Sequence, residues 1–154
     1  MDRIVVGVDG TPASVAAARS AGGFAGKMGF NVTLAFVVPS YAALGPEEVR
    51  GQRLEWEREE EERGRRMLRE VAAACELPEG RVESQVLHGE PAARLAELAR
   101  TSIMLVVGHR HRGAVARALL GSVADRLAQI SPVPLLLVPE QAPLDCGGPA
   151  GYRT

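Results

Sequence analysis

Between Gly108 and Ser122 the chain reads GHRHRGAVARALLGS, with glycines at both ends and His109, Arg110, His111, Arg112 and Arg117 between them. The segment follows the apolar β-former run SIMLVVG and precedes a helical pattern. Glycine lets a backbone approach a ligand closely. The unpaired N–H groups of a helix start, with the positive end of its macrodipole, seat anions. Arginine forks match phosphate oxygens. The chemistry available to such a stretch is phosphate binding, and the competing reading is a solvated basic loop. Ser122 carries the same ambiguity. SVAD, ending at Asp125, resembles a capping box, so the hydroxyl either caps the helix or meets a phosphate. The spacing is not that of a Walker loop, GxxxxGK[ST], and no lysine stands nearby. Nor does the segment lie in the first strand-to-helix turn, where a dinucleotide fingerprint belongs.

Two other strand ends qualify as candidates. Asp9, in VGVDGTP, can accept hydrogen bonds from a ribose or an amine, or can organise its turn with Gly10 and Thr11. Val37, in FVVP, can offer backbone groups and an apolar wall to a base, or can be core. Catalytic constellations are missing: the chain has no GxSxG and no HExxH. His109 and His111 share a face only on a strand, and His88 belongs to another segment. A three-histidine metal site is therefore the lesser reading, and no metal ligand is assigned. Cys75 and Cys146 lack both metal-ligand spacing and an evident base. Cys75 closes a helical apolar stripe and is expected to be a buried thiol. No reaction is legible.

These residues need a scaffold, and the hydrophobic pattern describes one. RIVVGVD (3–9), NVTLAFVVP (31–39), RVESQVLHG (81–89), SIMLVVG (102–108) and VPLLLVP (133–139) read as strands, the third half exposed near a sheet edge. Between the first two, a helix opens at Pro12, carries Ala17, Ala21, Phe24 and Met28 on its apolar stripe, and stops at Gly29. A charged helix over 46–76 follows, with Glu59–Arg63, Glu61–Arg65 and Glu62–Arg66 at i,i+4 spacing. Its early part, with Val49, Leu54 and Trp56, is expected in solvent. Its late part, with Met67, Val71, Ala74 and Cys75, should pack on the sheet. Pro91 opens a short helix with Ala92, Leu95, Ala96 and Ala99 on one face, and Val123, Leu127 and Ile130 mark the last helix. Strands alternating with helices imply an α/β fold: an open five-stranded parallel sheet with helices on both faces. Residues 1–140 form the domain. Residues 141–154, rich in glycine and proline, are expected to be a flexible C-terminal tail.

Composition bounds the partners. A net charge of −1 gives no basic field for nucleic acid, and no apolar run reaches membrane-spanning length. The N-terminus enters a strand without the layout of a signal peptide, so the chain reads as soluble and cytoplasmic.

The assembled pieces resemble the universal stress protein (UspA-like) family over about residues 1–140. The resemblance rests on IVVGVDGTPAS, VTLAFVV, HGEPAARLAELA, MLVVGHR and LLGSVADRLAQISPVPLLLVP, in that order. It implies the adenine nucleotide alpha hydrolase-like fold and a homodimer through the last strand, here Leu135, Leu136, Leu137 and Val138. It also implies binding of ATP or a related adenine nucleotide, alone or with Mg2+, through G-x2-G-x9-G-[S/T]. On that pattern Asp9 contacts ribose and base, and the Val37 backbone contacts adenine. Gly108, Gly121 and Ser122 hold phosphate, with His109, Arg110 and Val123 beside them. The second motif glycine is replaced by His111, the nearest glycine being Gly113. The family reading is thus a nucleotide-binding stress-response or signalling dimer, at most a slow ATP hydrolase. The alternative is the same fold without nucleotide, a dimeric partner-binding module.

Overall fold

Ile4, Val5 and Val6 are all buried, as expected where helices cover both faces of a strand. In the computed structural model, which describes residues 2–40, 50–109 and 121–140, they form the central strand β1 (Arg3–Gly7). The further strands are β2 (Asn31–Pro39), β3 (Val82–Gly89), β4 (Met104–His109) and β5 (Leu135–Pro139). All neighbouring pairs are parallel, in the order β3-β2-β1-β4-β5.

The connecting helices are α1 (Pro12–Met28), α2 (Arg50–Ala74), α3 (Pro91–Ala99) and α4 (Ser122–Ile130). The period-two alternation of strand side chains divides the core into two layers. Ile4, Val6 and Leu34 pack with Ala17, Ala21, Leu68 and Val71 of α1 and α2. On the opposite face Val5 and Leu105 pack with Leu95, Ala99 and Leu127 of α3 and α4. The fold is the open parallel α/β sheet expected from the sequence. β3 is an edge strand, as its half-exposed alternation implied. The stretch 141–154 and the part of the charged helix before residue 50 lie outside the described residues.

The helix ends follow local chemistry. Thr11 caps α1 by accepting from the Ser14 N–H, Pro12 takes the first turn, and Gly29 closes the helix at φ 76°. Glu90 caps α3, its carboxylate accepting from the N–H groups of Ala92 at 3.1 Å and Ala93 at 2.7 Å. The four apolar residues assigned to one face of α3 are all buried.

Three expectations need correction. Phe24 and Met28 are 47% and 62% exposed, rather than part of the buried stripe of α1. The buried side shifts along that helix, from Ala13, Ala16 and Ala17 to Ala21, Gly22 and Ala25. Gly22 there lies so close to the end of α2 that an added Cβ would stand 2.1 Å from the Cys75 carbonyl oxygen. On α2, Arg65 pairs with Glu61 as expected and reaches Glu62 as well, whereas Arg63 pairs with Glu60 instead of Glu59. The i,i+3 partner is equally near on a helix surface, so packing decides which is used. Finally, the early part of α2 is not wholly in solvent. Leu54 is exposed, but Trp56 is half-buried against the core.

Candidate functional site

β1 ends at Gly7, paired with Ala35, whereas β2 continues to Pro39 beside β3 alone. Main-chain groups of a strand alternate sides along its length. The Val32 N–H donates to the Arg81 carbonyl on the β3 side at 2.9 Å. The Ala35 carbonyl accepts from Val8 on the β1 side at 2.8 Å. Two residues on, Val37 turns its N–H and carbonyl the same way as Ala35, into the space beyond the end of β1. β4 lies on the other flank of β1, and the helices that follow β1 and β4 cover opposite faces of the sheet. This is the point where strand order reverses, the usual ligand crevice of open α/β sheets.

A cavity of about 420 Å³ occupies that point. The size falls within the roughly 300–1,000 Å³ of small-molecule sites. Its floor is Gly7, Val8, Val107 and Gly108, and one side is Ala35, Phe36, Val37 and Pro39 of β2. Pro91 and Leu95 of α3, with Val123 and Ala124 of α4, form another side. Asp9, Thr11 and Ser14 stand at the turn into α1.

Asp9 organises its turn as one of its two readings expected. Its Oδ1 accepts from the Thr11 N–H at 3.0 Å and from the Thr11 hydroxyl at 2.6 Å, which organises the turn. The residue is also exposed and lines the cavity. Gly108 has a packing reason to be glycine. A Cβ there would stand 2.4 Å from the carbonyl carbon of Ala13 and 2.7 Å from the nitrogen of Ser14, so the end of β4 lies directly against the first turn of α1.

At α4 the capping expectation needs correction. Gly121 is the N-cap and Ser122 the first helical residue, with no side-chain cap bond. The Asp125 N–H instead donates to the Gly121 carbonyl at 2.9 Å. The extended ψ of 153° at Gly121 starts the helix one residue earlier than a Ser122 cap requires. Val123 lines the cavity, while Gly121 and Ser122 are exposed beside it in the chain. His109 ends β4, its carbonyl accepting from the Glu140 N–H at 3.2 Å. Arg110, His111 and Gly113, with Arg112 and Arg117, lie outside the described residues.

The remaining wall comes from α2 and was not anticipated. Trp56, Glu60 and Arg63 line the cavity, at the i, i+4, i+7 spacing of one helix face. The Arg63 guanidinium grips Glu60 with two bonds, Nε to Oε1 at 3.1 Å and Nη2 to Oε2 at 2.7 Å. These bonds to Glu60 hold Arg63 above the ordinary arginine range, against a smaller opposing effect of burial. The same guanidinium sits 5.6 Å from the centre of the Phe36 ring, within cation–π range. The signal in the sequence was Gly64, a glycine inside a helix. A Cβ at Gly64 would stand 2.3 Å from the Phe36 ring, so its absence lets α2 press onto β2.

Among the described residues no group of three histidine, cysteine or acidic side chains could hold a metal ion. His88 instead meets Glu61, Nε2 to Oε1 at 2.7 Å. Cys75 is buried as expected, its thiol pushed up to about 11 by loss of solvent. Among the described residues, no helix is long and apolar enough to cross a membrane.

The sequence matches the universal stress protein family model over residues 1–139. The chain belongs to the universal stress protein family. It is 34% identical over 140 residues to a universal stress protein of Mycolicibacterium smegmatis, covering 88% of this chain and 45% of that protein. To one of Mycobacterium tuberculosis it is 33% identical over 156 residues, covering 90% and 48%. The chain thus spans about half the length of the curated relatives it matches. Solved universal stress proteins share the fold. One from Lactobacillus plantarum superposes with a TM-score of 0.70 at 19% identity, covering 88% of this chain and 96% of that one. One in complex with cAMP gives 0.63 at 24%, covering 90% and 96%. One from Archaeoglobus fulgidus in complex with dAMP gives 0.61 at 20%, covering 90% and 98%. The architecture is that of the adenine nucleotide alpha hydrolase-like fold.

Proposed function

We propose that this universal stress protein binds an adenine nucleotide in the cavity across the ends of β1, β2 and β4. The observation that carries the reading is Val37, whose backbone donor and acceptor face an apolar cavity of nucleoside dimensions at the strand-order switch. A base edge with alternating acceptor and donor matches such a pair. In this reading Asp9 accepts from the ribose hydroxyls. Gly108, His109, Arg110, His111 and Gly113 follow the phosphates, and Gly121, Ser122 and Val123 present the amide end of α4 to them. The ligand in this reading is ATP or a related adenine nucleotide, alone or with Mg2+. Relatives of the same fold solved with cAMP and dAMP support the choice of base. In this reading the protein acts by binding, with at most slow ATP hydrolysis.

The same reading makes the protein a cytoplasmic stress-response or signalling homodimer. Leu135, Leu136 and Leu137 are half-buried on the edge strand β5 and Val138 is buried, an apolar edge that a second copy would cover. The competing reading, a dimeric partner-binding module without nucleotide, rests on His111 standing at the second motif glycine. Thermal unfolding with ATP, ADP, AMP and cAMP separates the two. A ligand at a hundredfold excess over its Kd stabilises by about 2.7 kcal/mol. An unmoved Tm with all four at millimolar concentration refutes nucleotide binding.

A further inference from the structure

We propose that the α2 face formed by Trp56, Glu60 and Arg63 is the wall that selects a planar heteroaromatic base and orients it, with Trp56 the stacking residue. The inference rests on the nucleotide reading above and adds the specificity determinant of the same site. Its basis is what lies at the two ends of the cavity. At the β2 end stand two aromatic side chains, Trp56 and Phe36, with the Arg63 guanidinium over the Phe36 ring. Aromatic faces and guanidinium planes are the surfaces on which bases stack, and every base has such a face. At the β4 end the cavity meets the first turn of α4, where main-chain amides and the helix dipole favour negative charge.

Charge reinforces this polarity. Both carboxylate oxygens of Glu60 are engaged by Arg63, so the pair is neutral overall. It neither draws a phosphate to the β2 end nor repels an uncharged ring from it. A nucleotide therefore enters with its base toward α2 and its phosphate toward α4. The wall is also held in place, because the missing Cβ of Gly64 lets α2 lie against the buried Phe36. A preset wall loses little freedom when the ligand arrives.

Trp56 is the sole tryptophan of the chain, so its fluorescence reports on this wall directly. The experiment titrates the full chain and its Trp56→Ala variant with AMP, UMP and ribose 5-phosphate. Fluorescence is read on the former, and calorimetric Kd on both. AMP is expected to change Trp56 emission, and ribose 5-phosphate to leave it unchanged. Trp56→Ala is expected to weaken AMP about tenfold while sparing ribose 5-phosphate, so that the preference for AMP over the base-free sugar phosphate collapses. Trp56→Phe keeps a ring of similar packing and is expected to retain most of the AMP affinity, which separates stacking from a folding defect. AMP binding with constant emission and equal affinity in Trp56→Ala overturns the wall but leaves the nucleotide site standing. Equal weakening of AMP and ribose 5-phosphate also overturns it. A chain that binds none of the three overturns the wall, and the nucleotide site with it when ATP, ADP and cAMP also leave Tm unmoved. Every base has a stacking face, so Trp56→Ala is expected to weaken UMP as well, and a UMP affinity unmoved by that substitution overturns stacking on Trp56.

Discussion

Two glycines inside helices predict opposite responses to the same substitution. Gly64→Ala and Gly23→Ala each replace the weakest ordinary helix former by the strongest, a gain of about 1 kcal/mol when nothing else changes. At Gly23, within α1, an added Cβ meets nothing within 4 Å, so that gain should appear in full. At Gly64 the Cβ would stand 2.3 Å and 2.7 Å from two carbons of the Phe36 ring, far inside contact distance. Phe36 is only 5% exposed, so its ring has nowhere to go except into the cavity. Overpacking of this kind costs about 1–3 kcal/mol, and so close an approach belongs in the upper half of that range. The net expectation for Gly64→Ala is a loss of roughly 1–2 kcal/mol, set against a gain of about 1 kcal/mol for Gly23→Ala. For a chain of this size, 1 kcal/mol moves Tm by roughly 2–4 °C, so the variants should separate from each other by several degrees. Urea unfolding of both, monitored by circular dichroism, measures the difference. Nucleotide titration adds a second readout, because a ring driven into the cavity lowers affinity. A Gly64→Ala protein as stable as Gly23→Ala and equally able to bind would refute the packing argument.

Leu136→Glu places charge on the edge of β5 and should give monomer or insoluble protein. Light scattering checks this, and a monomeric unmodified chain at micromolar concentration sinks the proposed homodimer. The Cys75 thiol ionises near 9 when unfolded and at about 11 when folded. Its contribution to stability is therefore full below pH 9 and declines as pH rises from 9 through 11. The urea midpoint of the unmodified chain should accordingly fall more steeply over that window than that of Cys75→Ala, and parallel curves would contradict the assignment. His111→Gly restores the second motif glycine. Calorimetry near pH 7.5 should show about tenfold tighter ATP binding, whereas weaker binding would make His111 a working contact.

Patterns local in sequence were enough for most elements. The β-branched runs, Pro12 and Pro91 at helix starts, and Gly29 at a helix end each depend on neighbours a few residues away, and each is where the chain composition put it. Asp9, Val37 and Gly108 could be named because strand ends next to turns are legible in one dimension, and the family pattern added Gly121 and Ser122. What the tertiary structure alone decided is how distant surfaces meet. The shift of the buried side of α1 exposes Phe24 and Met28, although their spacing matches an apolar stripe, because a helix buries only what its neighbours cover. Arg63, beside the Phe36 ring, turned to Glu60 rather than Glu59, a choice between acids three and four residues away that spacing alone leaves open. Trp56, Glu60 and Arg63 looked like part of a solvated helix, since periodicity records which residues share a face and not what stands opposite. The missing Cβ of Gly64 against Phe36 brings that face to the end of β2, and it is a contact between segments 28 residues apart in the chain.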